Sequence, residues 1–274
     1  MTGPDGGGST DGAGPVLSEF DHFEVRRHGP VAVARINRPA KLNTMTTAFW
    51  PQLRGLLDTL ARDRVTRALV ITGKGDRAFS AGGDIVSFAR LGTPAARREF
   101  MNECLTAFAA VEECPLPVIA AVNGWALGGG CELVFACDIV IAAESAVFGL
   151  PEASVGLVPG FGVLRGPSVV GRQWAKLLVL AGERIDAEQA RELGMVQKVV
   201  PDEALLPAAL ELAGRIASRA PLAVAVGKRI INRGVDRGDA GYSVEALSLL
   251  YSTRDAAEGI AAFIQRREPR FEGS

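Results

Sequence analysis

The sequence predicts an α/β fold over residues 17–200, followed by a helical C-terminal region over residues 201–274. Up to Val200, short apolar runs alternate with segments of helical periodicity, a pattern typical of βαβ-type units. After Pro201 every periodic segment is helix-like, and no convincing strand separates them. The 274 residues are 48% hydrophobic, so the chain is long enough and apolar enough to bury a sizeable core.

The first 16 residues predict a disordered tail. Met1 to Pro15 holds six glycines and two aspartates, without the basic and apolar regions of a signal peptide. Such a segment buries too little apolar surface to offset the entropy of ordering it. The longest uncharged stretch, residues 115–131, contains Asn123 and a triple glycine and ends at Glu132, which argues against a membrane span. We therefore expect a cytoplasmic protein.

The first ordered elements are a β-hairpin and a helix. Residues 23–26 and 31–36 alternate apolar and polar positions around a turn at His28-Gly29-Pro30, which predicts two paired strands. Asn37-Arg38-Pro39 then breaks the second strand. Leucines at helical spacing between Thr46 and Asp63 predict the first helix.

The alternation of strands and helices continues to residue 142. A buried strand is predicted at residues 68–71, and Thr93 and Pro94 have the residue types of an N-cap and a first helical position. That helix is expected to end near Cys114. The remaining predictions are strands at residues 118–122 and 139–142 and a helix at residues 128–137.

The helical region after Pro201 contains four candidate helices. They span residues 204–217, 222–232, 244–250 and 256–265. We therefore place the boundary between the α/β core and the C-terminal region near Pro201.

Charge and residue counts exclude several classes of function. Lys and Arg total 30 and Asp and Glu total 31, so the net charge of −1 favours neither nucleic acid nor an anionic membrane as a partner. Only His22 and His28 are available, both near the start, which disfavours a Ser/His/Asp triad or a multi-histidine metal site. The four cysteines show no metal-binding spacing and are expected to be reduced and structural. They are Cys104, Cys114, Cys131 and Cys137.

The first segment that could carry chemistry is Phe79-Ser80-Ala81-Gly82-Gly83-Asp84, after a strand and a tight turn. Its small residues would let a ligand approach the main chain, where a free N–H can donate a hydrogen bond. A plain surface turn is the alternative interpretation.

The second segment is a strand that leads through Gly128-Gly129-Gly130 into a helix. The first N–H groups of a helix lack intrahelical partners, so this terminus suits a phosphate or a developing oxyanion. The phosphate motifs GxGxxG and GxxxxGK[ST] are absent here. Glu132 would lie near the same opening. Because its neighbours are apolar, its carboxyl is expected either to be paired within the core or to have a functional role.

The third segment, residues 148–153, holds Pro151 and Glu152. The proline and the glycines around it would fix a loop that presents the Glu152 carboxylate on a rigid support. A solvated loop carboxylate is the alternative.

Together, these three segments resemble the crotonase superfamily, and in particular enoyl-CoA hydratases. The likeness begins at Ile36-Asn37-Arg38-Pro39, continues through the three segments and through residues 181–196, and ends with Asp255, Glu258-Gly259 and Ala262-Phe263. It covers residues 20–271.

The resemblance implies a crotonase-like spiral of ββα units whose C-terminal helices pack trimers, usually paired into hexamers. By motif position, the amides of Ala81 and Gly129 would form an oxyanion hole for the thioester carbonyl of an acyl-CoA. Glu132 would activate a water molecule and Glu152 would protonate the α-carbon. The resemblance implies no metal and no cofactor, because coenzyme A is part of the substrate.

Further substrate contacts follow from the same resemblance. Coenzyme A would lie along Lys41-Leu42 and the stretch Ala81, Gly82, Gly83 and Asp84, although Lys41 could equally be a solvated lysine. Phe161 places a large ring where the family usually has a small residue, which leaves the length or branching of the acyl group open. Phe263 and Phe271 could close the site of a neighbouring subunit, and core packing is the alternative for Phe263.

The expected activity is hydration of a 2-enoyl-CoA to a 3-hydroxyacyl-CoA. The alternatives are isomerisation of the double bond or another crotonase reaction, and, as a third reading, an acyl-CoA binder without activity.

Overall fold

Two β-sheets organise the chain. The computed structural model describes residues 20–233, 248–250 and 252–274. The larger sheet has the spatial order β1 (Phe23–His28), β2 (Val31–Ile36), β3 (Ala68–Gly73), β5 (Val118–Val122), β7 (Ile139–Ala143) and β10 (Lys198–Val200). The smaller sheet has the order β4 (Ala78–Ser80), β6 (Trp125–Leu127), β8 (Val147–Gly149) and β9 (Arg184–Asp186). The predicted α/β class is confirmed.

Helices connect and cover the two sheets. They are α1 (Phe49–Arg62), α2 (Ile85–Phe88), α3 (Pro94–Glu113), α4 (Gly129–Ala136), α5 (Gly162–Val169), α6 (Arg172–Lys176), α7 (Ala187–Glu192), α8 (Leu205–Ala217), α9 (Pro221–Arg233) and α10 (Arg254–Gln265). The predicted start of α3 is confirmed, since the Thr93 hydroxyl accepts a hydrogen bond from the amide of Ala96 at 3.1 Å. Helix α1 begins at Phe49, three residues later than predicted.

A repeated ββ unit links the sheets and positions the site. In β3–β4, β5–β6 and β7–β8 the first strand joins the larger sheet, the second joins the smaller sheet, and a helical segment follows. Strands β4, β6 and β8 are parallel neighbours, so their carboxyl ends lie on the same edge. The sequence did not reveal the smaller sheet, because strands of three residues are too short to display an alternating pattern.

Helix α8 belongs to the core and not to a separate C-terminal region. Its buried residues Leu205, Ala209 and Ala213 pack on the face of the larger sheet that carries Val33 and Val70. The boundary predicted near Pro201 marks the end of the strands, because the composition changes there, but the core continues through α8.

Helix α9 is tied to the core by a buried lysine. Lys228 Nζ lies 2.7 Å from Asp138 Oδ2 and also donates to the carbonyl oxygens of Val111 and Leu116. The predicted tail 1–16 and most of the predicted helix 244–250 lie outside the described residues. Among the residues that are described, none of the helices has the length and apolar character needed to cross a membrane.

Candidate active site

The segments that follow β4, β6 and β8 converge at one edge of the smaller sheet. The amide of Gly128 donates to the carbonyl oxygen of Gly149 at 2.9 Å, which joins the second and third segments. Gly128 has φ 53°, and a Cβ there would lie 2.9 Å from Glu152 Oε1. A glycine at this position therefore lets the Glu152 carboxyl approach the main chain that leads into α4.

The first segment lies beside residues 42–45. The amide of Ala81 donates to the carbonyl oxygen of Leu42 at 2.9 Å, and Met45 exchanges main-chain hydrogen bonds with Gly82 and Asp84 on either side of Gly83. Phe79 and Ser80 are fully buried in β4. The surface-turn interpretation of this segment is therefore wrong.

The predicted donor Ala81 requires a correction. Its amide is already hydrogen-bonded to Leu42, whereas the amides of Gly83 and Gly129 have no hydrogen-bond partner within the described ranges. A Cβ at Gly129 would lie 3.7 Å from the nitrogen of Gly83, so these two amides share one opening. The motif locates the segment but not the direction of each amide, because Gly82, with φ 89°, turns the chain between Ala81 and Gly83.

Helix α4 brings a helix N-terminus to this opening. A Cβ at Gly130 would lie 2.2 Å from the carbonyl oxygen of Ser80, so only a glycine lets the first turn of α4 rest on the end of β4. The N-terminal amides carry the positive end of the helix dipole. Two unpartnered amides at one point can stabilise negative charge that develops on a single oxygen atom.

Glu132 lies in the first turn of α4 and is 7% exposed. Its Oε1 atom accepts hydrogen bonds from the amides of Phe161 at 2.7 Å and Gly162 at 2.8 Å. Burial raises the pKa of this carboxyl, and the two amide hydrogen bonds act in the opposite direction. No ion pair within the described ranges involves Glu132. The alternative that Glu132 is a core carboxylate paired with a cationic side chain is therefore wrong for the described residues.

Glu152 lies in the short helical turn Pro151–Val155 that follows β8. Its Oε2 atom is buried and has no hydrogen-bond partner in the part of the chain that the structure describes. Burial, and then the charge of Glu132, raise the pKa of Glu152 to about 7. The alternative of a solvated loop carboxylate is therefore wrong, and both protonation states are accessible near neutral pH.

The residues predicted to contact coenzyme A fall into two groups. Lys41 is exposed and lies next to Leu42, which adopts a left-handed conformation with φ 51°. Asp84 instead forms an ion pair with Arg38 at 3.0 Å and caps α2 through the amide of Ser87. Asp84 therefore holds the first segment in place.

The two predicted aromatic contacts also differ. The Phe161 ring is buried. Nothing in the sequence indicated that the main-chain amide of Phe161 would donate a hydrogen bond to Glu132. The only available signal was the Gly160-Phe161-Gly162 run at the start of a helix. Phe263 is 86% exposed, so core packing within its own chain is wrong for that residue. The ring of Phe271 instead packs on Gly259.

Comparisons with known proteins identify the family of this chain. The family model described as enoyl-CoA hydratase/isomerase matches residues 26–274. A crotonyl-CoA hydratase of Syntrophomonas wolfei subsp. wolfei is 39% identical over 256 residues, covering 92% of this chain and 98% of the relative. A short-chain-enoyl-CoA hydratase of Clostridium acetobutylicum is 38% identical over 255 residues, covering 91% of this chain and 97% of the relative.

Solved structures share the architecture. The crystal structure of an enoyl-CoA hydratase from Bacillus anthracis superimposes with a TM-score of 0.88 at 37% identity, covering 93% of this chain and all of that one. Pseudomonas aeruginosa DspI gives a TM-score of 0.88 at 38% identity, covering 93% of this chain and 99% of that one. The chain belongs to the enoyl-CoA hydratase/isomerase family. The predicted crotonase-like fold is confirmed, while trimer packing stays a prediction.

Proposed function

We propose that this protein adds water across the double bond of a 2-enoyl-CoA to give a 3-hydroxyacyl-CoA. The observation that carries the proposal is a pair of amides, those of Gly83 and Gly129, which have no hydrogen-bond partner among the described residues and lie beside the buried Glu132 and the half-buried Glu152. The two relatives described above bear names of hydratases that act on short or crotonyl thioesters. The activity assigned to this chain is the reaction that uses all four groups.

The two amides serve the thioester oxygen. When water attacks the β-carbon of a conjugated enoyl thioester, negative charge develops on that oxygen as an enolate forms. Donors fixed in place before the reaction stabilise this charge more than they stabilise the neutral carbonyl. Each such donor typically contributes about 2.7 to 4 kcal/mol to the stability of the transition state.

The two carboxyl groups serve the proton transfers. Glu132, whose Oε1 accepts two amide hydrogen bonds, acts as the carboxylate that removes a proton from water as its oxygen bonds to the β-carbon. Glu152 in its protonated form delivers a proton to the α-carbon. Water thus supplies one hydroxyl and one net proton, and proton exchange between the two carboxyls restores their starting states.

The remaining features of the site concern binding and assembly. Coenzyme A lies along Lys41-Leu42 and the stretch from Ala81 to Gly83, which the hydrogen bond between Leu42 and Ala81 holds side by side. No cofactor beyond the coenzyme A of the substrate takes part. The exposed ring of Phe263 contacts a neighbouring subunit of a trimer or hexamer near its acyl-CoA site.

The test is hydration of crotonyl-CoA. The reaction is monitored by the loss of enoyl thioester absorbance, and the product is identified as 3-hydroxybutyryl-CoA. The matched control is the Glu132→Gln/Glu152→Gln double variant, in which both proton-transfer groups are lost with little change in shape. Turnover that is undiminished in the double variant would refute the proposal. The isomerase alternative is tested with a 3-enoyl-CoA, and conversion to the 2-enoyl isomer without any hydrated product would favour it.

A further inference from the structure

Helix α3 holds the first turn of α5 through two pairs of side chains, which we together call the clamp. On α3, Phe108 and Glu112 lie one turn apart. Phe161 and Arg165 have the same spacing at the start of α5. The ring centroids of Phe108 and Phe161 are 4.9 Å apart. At the other end of the clamp, Arg165 Nη2 donates to Glu112 Oε2 at 2.7 Å.

Arg165 also contacts Phe161 within the turn itself. Its main-chain amide donates to the carbonyl oxygen of Phe161 at 2.9 Å, and its guanidinium carbon lies 5.8 Å from the centroid of the Phe161 ring. That distance is within the range of a cation–π contact. A planar guanidinium can stack on a ring and pair with a carboxylate at the same time, so Arg165 links Phe161 to Glu112.

The turn that the clamp holds is the support of Glu132. The amides of Phe161 and Gly162 donate to Glu132 Oε1 at 2.7 and 2.8 Å. Within the described ranges, no other hydrogen bond reaches the Glu132 carboxyl. The direction of this carboxyl therefore depends on where the first turn of α5 lies.

The clamp acts on Glu132 through position and not through charge. Burial raises the pKa of Glu132, and the amides of Phe161 and Gly162 oppose that rise. The charge of Glu132 in turn contributes to raising the pKa of three neighbouring side chains, which are Glu152 after β8, Cys104 on α3 and Cys131 on α4. None of these neighbours is a cation, so the two amides are the groups that favour the Glu132 carboxylate.

We propose that Arg165, held by Glu112, is a positioning residue for Glu132. This inference rests on the proposed hydratase function, in which Glu132 removes a proton from water. With the clamp intact, the two amides of the turn fix the direction of the Glu132 carboxylate. Without it, the turn can move away from α3 and the carboxylate loses that direction. A misplacement of about 1 Å can lower the rate of an enzyme by as much as about 10².

The first test removes either member of the ion pair. Arg165→Gln and Glu112→Gln should each lower kcat for crotonyl-CoA about tenfold and leave KM within about twofold, because neither residue is assigned a contact with the substrate. The double variant should lose no more than either single variant, since both substitutions remove the same contact. More than half of the wild-type kcat in both single variants would overturn the proposal.

The matched control is a second ion pair between arginine and glutamate. Arg191 on α7 lies 2.6 Å from Glu188, and both side chains are more than half exposed. Arg191→Gln should therefore leave kcat unchanged. The Arg165 side chain is itself 43% exposed, so the fold should tolerate Arg165→Gln, and a melting curve of each variant verifies this at the assay temperature.

The pH profile separates positioning from a general loss of structure. Glu132 must be ionised to remove the proton, so the acid limb of the kcat/KM profile reports its deprotonation. Loosening the two amides removes an effect that lowers the pKa of Glu132, and the acid limb of Arg165→Gln should rise by about one pH unit. Partial unfolding would lower activity without such a shift. A lower kcat with an unmoved acid limb would overturn the positioning role.

A final measurement does not need catalysis. In protein whose phenylalanine amides are isotopically labelled, the Phe161 resonance is assigned by its absence from Phe161→Leu. Because this amide donates to Glu132, its proton shift should move downfield as Glu132 ionises, and should move less in Arg165→Gln. Identical titrations in wild type and Arg165→Gln would overturn the inference, whether or not hydration occurs. A reduced response in a protein without hydration activity would reject the hydratase function and support the clamp.

Discussion

Two elements of the site hold the same functional group in opposite ways. On α4, the Glu132 carboxyl is buried but accepts two main-chain hydrogen bonds on Oε1. In the turn after β8, Glu152 is half-buried, its buried Oε2 atom is unpartnered within the described residues, and the charge of Glu132 contributes to raising its pKa. Hydrogen bonds to the charged form favour a carboxylate, whereas burial and a neighbouring negative charge favour the acid.

Under the proposed mechanism, this contrast gives two neighbouring carboxyl groups different tendencies to hold a proton. Two carboxyl groups that interact this closely titrate as a pair. Burial raises the pKa of Glu132, and the amides of Phe161 and Gly162 oppose that rise, whereas Glu152 has no such donors on Oε2 within the described residues. Glu152 keeps its proton until about pH 7 and is available as the acid.

The largest effect is expected from removing either carboxyl. Glu132→Gln and Glu152→Gln should each lower kcat by about 10² to 10⁴, the contribution typical of a positioned general acid or base. Steady-state hydration of crotonyl-CoA measures both. The exposed Glu144 provides the control Glu144→Gln, which should retain full activity. If either active-site variant kept more than half of the wild-type kcat, that residue would lose its assigned role.

The second-largest loss of activity is expected from removing an oxyanion donor. Such a variant should keep the function of both carboxyl groups. Gly83→Pro deletes the amide that has no partner within the described ranges, but it also adds a Cβ 2.3 Å from Cε2 of Phe88, so it is compared with Gly83→Ala, which adds the same Cβ and keeps the amide. We expect kcat/KM of Gly83→Pro to lie about 10² to 10³ below that of Gly83→Ala, without a change in the pH profile. Ala81→Pro deletes the amide bonded to Leu42, so its first effect should be a lower melting temperature. Melting curves and kinetics of both variants separate the cases, and full activity of Gly83→Pro would return the donor role to another amide.

The contrast between the two glutamates also predicts a dependence of stability on pH. The folded state raises the pKa of Glu152 from 4.5 to about 7, so the fold binds this proton more tightly than the unfolded chain does. That stabilisation is complete below pH 4.5 and is lost as the pH rises through about 7. The wild type loses this stabilisation between pH 4.5 and pH 8, whereas Glu152→Gln does not. The free energy of unfolding of Glu152→Gln, relative to that of the wild type, should therefore rise by up to about 3 kcal/mol between pH 4.5 and pH 8.

Urea unfolding of the wild type and Glu152→Gln at pH 4.5 and pH 8 measures this change. The exposed variant Glu144→Gln should show no such pH-dependent difference. Equal stability increments for Glu152→Gln at the two pH values would show that Glu152 does not titrate differently in the folded and unfolded states.

The smallest effect expected is the shape of the activity profile near neutral pH. Because Glu152 must be protonated to act as the acid, kcat/KM should fall about tenfold per pH unit above the pKa of about 7. In Glu152→Gln the residual activity should lose this decline. A wild-type profile that stays flat to pH 9 would indicate that Glu152 is not the proton donor.

Local patterns predicted much of the fold correctly. The hairpin β1–β2, the buried strands β3, β5 and β7, and the Thr93 cap of α3 were all readable, since each rests on residue order within one segment. Strands β4, β6, β8 and β9 were missed because each spans only three residues. Their stability comes from neighbours in the sheet, which a single segment does not display.

The site shows the same division. Glu132 was identifiable as a carboxyl group within an apolar run, and Glu152 as a carboxyl group on a loop that a proline and glycines constrain. The sequence did not indicate that the free amide belongs to Gly83 and not to Ala81, because whether a main-chain amide is hydrogen-bonded depends on which acceptor lies opposite it in the folded chain. The support of Glu132 by the amide of Phe161 was hidden for the same reason.

The α/β class, the resemblance to the family and the two candidate acids, Glu132 and Glu152, all followed from the sequence, because residue type and periodicity are properties of single segments. Which amides lack a partner within the described residues, and which glutamate accepts hydrogen bonds from main-chain amides, could be seen only once the chain was folded. Those properties depend on the distances between segments far apart in the chain, and hydrogen bonding, burial and steric exclusion all act through such distances.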